Sequence, residues 1–230
     1  MINSLMPACD FKKTAIDKML DKNKTYGYYT CTDAGKHNIF QKFVSKRIQS
    51  HSRHVLEEEY KKLNQNSKYK YNICNSDVAV HAGFCRYEYD EKEKRSDWWF
   101  YESHYDTKGV KRKDCVEFIH CNGVDMHDTH VYFFEDEFDF EFANELVGTP
   151  YGTIDLFRMA LDDYANAIFG IPINRKWVLK PDSGLWCSEY YALCQVDKSI
   201  LKYFELEQYK IKVSHIQAWT VAVKKDIQEL

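Results

Sequence analysis

The residues that punctuate or stiffen a chain are scarce here, with four prolines and nine glycines in 230 residues. That scarcity excludes a collagenous, low-complexity or linker-dominated architecture. No apolar run approaches the ~20 residues that a membrane-spanning helix requires. Positive charge is not in surplus either: 32 basic against 35 acidic residues give a formal charge of −3. No global basic field therefore points to nucleic acid. The first residues, Met1 to Met6, lack a basic stretch followed by an apolar one, so no secretory signal is expected. Eight cysteines are present, but none forms a CxxC pair, and a chain of this length needs no disulfide staples. The expectation is reduced thiols and a cytoplasmic protein.

What is abundant is hydrophobic and aromatic: 44% and 16% of residues, with 17 Tyr and 14 Phe. Aromatics suit pleated, half-buried surfaces, so the composition leans towards sheet. Ala15, Met19 and Leu20 give a short helical pattern near the start. Tyr26–Thr32 reads as a strand and 39–48 as a helix, with an exposed helix over 55–70. Asp77–Tyr87 reads as a largely buried strand. A charged turn over 90–97 then leads into a hairpin partner at Trp98–His104. Further strands are expected at Cys115–Ile119 and Thr129–Phe134. Leu156, Met159, Ala160, Tyr164, Ala167 and Ile168 line one helical face, ended by Gly170 and Pro172. A helix follows over 185–196. The tail alternates through Tyr209-Lys210-Ile211-Lys212-Val213 before a final amphipathic piece. With no repeat and no linker, 1–230 is expected to form a single α+β domain.

The chemistry gathers at Trp186-Cys187-Ser188-Glu189-Tyr190-Tyr191. Lys180-Pro181-Asp182-Ser183-Gly184 upstream is turn chemistry, and the residues downstream are apolar at helical spacing. Cys187 is thereby expected at a helix N-terminus, where unpaired N–H groups and the dipole favour a thiolate. A thiol nucleophile needs a base, and the base needs an orienting partner. His81 lies in a strand otherwise made of Val, Ala, Gly and Phe, where a buried imidazole is costly unless paired. Glu102 lies on the expected neighbouring strand. If the two strands pair across the charged turn, His81 and Glu102 face the same side, and Cys187 completes the set.

Four stretches carry a family resemblance. Asp77 to Arg86 resembles the "sHvGI" strand of circularly permuted NlpC-type papain-like proteins, the YiiX/YaeF-like hydrolases and, more distantly, the lecithin-retinol acyltransferase-like family. Phe100-Tyr101-Glu102-Ser103-His104 with Gly109-Val110 resembles the next hairpin of that family. Gly148-Thr149-Pro150-Tyr151-Gly152 resembles its "G-x-P-Y-D" element, and Trp186-Cys187-Ser188-Glu189 its "yCSEL" nucleophile motif. The resemblance covers roughly residues 25–200. It implies a permuted papain-like fold, an antiparallel sheet packed against helices with the nucleophile at a helix N-terminus. It further implies Cys187 as nucleophile, His81 as base and Glu102 as the third polar residue. The reaction would be acyl transfer on an amide, isopeptide, ester or thioester, with no cofactor. The substrate would be a peptide, an isopeptide or an acyl lipid, with Tyr151 and Trp186 as candidate substrate-binding residues. Ala-Val before His81, Ala82 after it and Tyr190 after Cys-Ser-Glu depart from the pattern and bear on the substrate.

Other readings of these residues stand beside that one. His81 alone would be a satisfied core histidine, and Tyr151 a packed aromatic beside a turn. Cys115, His120, Cys121, His127 and His130 are possible metal ligands, but their spacing fits no standard zinc pairing. Lys46, Arg47, His51, Arg53 and His54 read as a solvated helix end. A papain-like scaffold used for binding, with no catalysis, is the alternative function, and thiol reactivity at Cys187 separates the two.

Overall fold

The computed structural model describes residues 8–32, 78–104, 108–122, 124, 129–152, 184–224 and 226–230, with single positions at 53, 56, 57 and 61. The helices expected at 39–48 and 156–168, and nearly all of the one at 55–70, lie outside the described residues. In chain order the described elements are α1 (Ala8–Met19), β1 (Thr25–Thr32), β2 (Ala79–Asp90), β3 (Arg95–His104), β4 (Gly109–Lys113) and α2 (Cys115–Cys121). They continue with β5 (Thr129–Glu135), α3 (Phe140–Glu145), α4 (Cys187–Cys194), α5 (Ser199–Phe204), α6 (Val213–Val223) and β6 (Gln228–Glu229). The strands form a six-stranded sheet in the order β4-β3-β2-β1-β5-β6, every neighbouring pair antiparallel. This is an α+β arrangement, and no described helix is long and apolar enough to cross a membrane.

Both faces of the sheet are covered, which explains why its strands are so rich in aromatics. Side chains alternate along a strand, so neighbours in sequence feed different layers. Tyr26, Tyr28, Cys85, Trp98, Phe100, Val131 and Phe133 pack against Ile16 of α1, Leu20 just after it, and Cys115, Phe118 and Ile119 of α2. On the opposite face, Tyr29, Ala82, Phe84, Tyr101 and Phe134 pack against α3, α4 and α6 through Ala143, Tyr190, Tyr191, Ile216 and Trp219. Aromatic rings contact one another directly within each layer: Phe100 stacks on Phe118 at 3.8 Å between centroids, and Phe84 on Phe138 at 4.3 Å.

Two expectations are corrected. The strand expected at Cys115–Ile119 is helix α2, and the strand of that region is β4, just before it. Val, Phe and Ile favour strands, but Asp114 decides the matter: its side chain accepts from the Glu117 N–H at 2.8 Å and caps the helix. The buried residues Cys115, Phe118 and Ile119 then fall at i, i+3 and i+4, a helical stripe. Gln208–Lys210 is a single 3-10 turn, and Val213 begins α6. The charged turn is also shorter than expected, because β2 runs to Asp90 and β3 starts at Arg95.

Candidate active site

Cys187 is the first residue of α4, and the chain before it is fixed by main-chain bonds. The Leu185 N–H donates to the Pro150 carbonyl at 2.9 Å, and Leu185 O accepts from the Gly152 N–H at 3.4 Å and the Ser103 hydroxyl at 2.5 Å. A Cβ on Gly184, whose φ is +127°, would collide with Pro150 O, so the approach of the two segments depends on glycine there. Downstream, the Ser188 hydroxyl donates to Ile211 O at 2.9 Å, Tyr190 to Ala143 O at 3.1 Å and Tyr191 to Asp136 at 2.7 Å. The nucleophile candidate therefore sits on a short helix held from several sides, which suits a site needing fixed geometry.

Glu102 is fully buried, yet it is surrounded by donors. Its Oε2 accepts from the Tyr28 hydroxyl at 2.6 Å and Asn122 Nδ2 at 3.1 Å, and lies 2.9 Å from His81 Nε2. Its Oε1 bonds the Lys113 ammonium, which is itself fully buried. The register explains the convergence. Tyr28 pairs with Gly83, and Glu102 follows Tyr101, the partner of Phe84, so Glu102 lies one strand beyond Gly83. A Cβ on Gly83 would occupy the place of the Tyr28 hydroxyl, so the missing side chain is what lets Tyr28 reach across β2 to β3. Lys113 pairs with Phe100 and so shares the face of Glu102.

The electrostatics follow from burial and these partners. Burial alone would raise the Glu102 pKa. The His81 charge and hydrogen bond, then Lys113 and His104, hold it well below the usual carboxylate range. Burial alone would lower the His81 pKa. The Glu102 charge, a hydrogen bond with Cys187 and the bond to Glu102 raise it to about 9. His81 is thus influenced by both candidates: Glu102 bonds Nε2, and Nδ1 is the nitrogen left for the thiol. A register shift lies beside it, since Thr30 pairs with His81 but Cys31 with Ala79, leaving Val80 as the extra residue. Such bulges re-aim neighbouring side chains. The exposures of His81 and Cys187 are 7% and 5%, so the pair is almost closed to water.

The two candidate substrate-binding residues differ. Tyr151 is half-buried, and burial together with the nearby Cys187 pushes its phenol pKa well up. Trp186 is buried as the residue preceding α4, and among the described residues its indole N–H has no hydrogen-bond partner. His104 stands edge-on to His81, with centroids 4.8 Å apart. Of the possible zinc ligands, Cys115 is core, His120 is exposed on α2, and His130 is exposed and lies 2.9 Å from Glu229. His127 lies outside the described residues. Among the described residues no three His, Cys, Asp or Glu side chains converge as metal ligands, and six cysteines are free thiols.

Tyr28, Lys113, Asn122 and His104 were not singled out from sequence. Their signal lies in strand register and in the cap that starts α2, neither of which periodicity reports. Comparison with known proteins adds no relative: no family model matches the chain, and no curated protein or solved structure does either.

Proposed function

We propose that the protein is a papain-like cysteine hydrolase, with Cys187 as nucleophile, His81 as general base and acid, and Glu102 as orienter. One observation carries the reading: a single buried imidazole bonds a buried carboxylate and lies close enough to a thiol at the first residue of a helix for that thiol to raise its pKa. Structural histidines need one partner for each nitrogen. This one has a nucleophile as its second partner.

In the reaction, His81 takes the Cys187 proton, and Sγ attacks the carbonyl carbon of an amide, isopeptide, ester or thioester. The carbonyl π electrons move to oxygen, and the oxyanion is met by the Cys187 N–H at the positive end of α4. The intermediate collapses as His81 returns its proton to the leaving amine, alcohol or thiol, which leaves an acyl group on Cys187. Water then gives a proton to His81, attacks the thioester and releases a carboxylic acid and the free thiol. Glu102 stays ionised throughout. It fixes the imidazole orientation and stabilises the imidazolium formed at each step.

The test is acyl-enzyme formation with a p-nitrophenyl ester. The expected result is a burst of about one nitrophenol per protein molecule, with the acyl mass on Cys187 and neither signal in Cys187→Ser or His81→Ala. Acylation spread over other cysteines, or equal in His81→Ala, would leave the non-catalytic binding scaffold as the better reading.

A further inference from the structure

Glu102 is shared between two cationic partners on its two oxygens: His81 Nε2 on Oε2 and the Lys113 ammonium on Oε1. Lys113, like Glu102, has no exposed surface. A fully buried lysine is costly to keep charged and would be replaced by an apolar residue at little loss if it only filled space. The papain-like reaction needs only an orienter for the imidazole, and Glu102 already supplies that.

We propose that Lys113 is a positioning residue of the catalytic set, whose buried ammonium balances Glu102 so that the set carries no net charge. This rests on the triad reading above. With Lys113 present, the group Cys187, His81, Glu102 and Lys113 is neutral when the proton is on the thiol. It is neutral again when the proton has moved to the imidazole and left a thiolate. Without Lys113 both forms carry one negative charge inside the core, which is the costly condition. A residual negative charge also binds protons: the thiol gives its proton up less readily, and the imidazolium keeps its own longer.

Tyr28 from β1, His81 from β2, His104 from β3, Lys113 from β4 and Asn122, the cap that follows α2, face Glu102, and the Cys121 thiol at the end of α2 lies near Lys113. Among the described residues, Lys113 is the ammonium that bonds Glu102 directly, and His104 adds to the balance through its charge alone. Tyr28 and Asn122 donate hydrogen bonds but carry no charge. Beyond His81, the cation in direct contact with the Glu102 carboxylate is Lys113.

The experiment measures the rate of Cys187 alkylation by iodoacetamide from pH 4 to 10 in the full chain. Wild type should show an acidic limb, where the thiolate–imidazolium pair forms, and an alkaline limb, where His81 loses its proton. Lys113→Met should move both limbs up by about one to two pH units, the size of one unit charge several ångströms away at an intermediate dielectric. Lys113→Arg should restore most of the shift. The same substitution is made in the Glu102→Gln background, where removing both charged partners keeps the core neutral should Lys113→Met alone fail to fold. An upward shift is expected there too. Limbs that stay in place in every folded Lys113→Met protein, with only the melting temperature lowered, would make Lys113 purely structural and overturn the proposal. A wild-type profile without any limb abolished by His81→Ala would instead overturn the triad reading itself.

Discussion

Replacing His81 by Gln converts the buried imidazole into a group that cannot titrate, and the effect on stability should depend on pH. The folded-state pKa of about 9 stands about 2.5 above the ordinary histidine value of 6.5. A group whose pKa is raised by folding binds its proton more tightly in the native state. Its contribution is therefore fully present below about pH 6.5 and is lost as pH rises through about 9. At 1.36 kcal/mol per pKa unit the total is about 3 kcal/mol. Urea denaturation of wild type and His81→Gln at half-unit steps from pH 5.5 to 10 gives the difference curve. Cys85 and Cys115, whose buried thiols titrate well above the usual range, add the same alkaline slope to both proteins and cancel. The difference should shrink by about 3 kcal/mol across that interval, most steeply between pH 7 and 9. A flat difference would mean that His81 is neutral in the folded protein and that the Glu102–His81 ion pair does not exist.

Other residues allow sharper local tests. Gly83→Ala places a methyl where the Tyr28 hydroxyl sits, against the Tyr101 carbonyl at 2.7 Å, and should cost about 1–3 kcal/mol; an unchanged thermal midpoint would show that the strands yield. Tyr28→Phe removes a donor from a buried carboxylate and should cost about 1.5–3 kcal/mol in chemical denaturation, and a loss below 0.5 would argue that Lys113 and Asn122 satisfy Glu102 alone. Asp114→Ala removes the α2 cap and the Arg95 ion pair. About 1 kcal/mol should be lost, and faster hydrogen exchange at Glu117 should accompany it.

What sequence made legible was the local part of the site. His81 stood out as a polar residue in an apolar strand, Glu102 as its counterpart on the next strand, and Cys187 as the residue where turn chemistry meets a helical stripe. Those signals survive because each depends on a few adjacent residues. Lys113 was invisible for the opposite reason. It sits in Lys111-Arg112-Lys113, a run that reads as solvated, and only the pairing of Phe100 with Lys113 turns it inward. Tyr28 was read as one more strand aromatic, since its role depends on a glycine 55 positions later in the chain. Cys115–Ile119 reads as a strand from its side chains and is helical because of the cap at Asp114, since capping acts on backbone groups that propensity ignores. Local chemistry was readable, and long-range register was not.

The central claim, that Cys187 and His81 form a reactive pair, is tested most directly by following alkylation of every cysteine by peptide mass spectrometry. Rates are compared between wild type and His81→Ala at pH 6. Cys187 should react fastest of all the cysteines in wild type and lose that advantage when the imidazole is absent. A Cys187 that is protected, or that reacts only as an ordinary thiol of pKa ~8.5 in both proteins, would contradict the account.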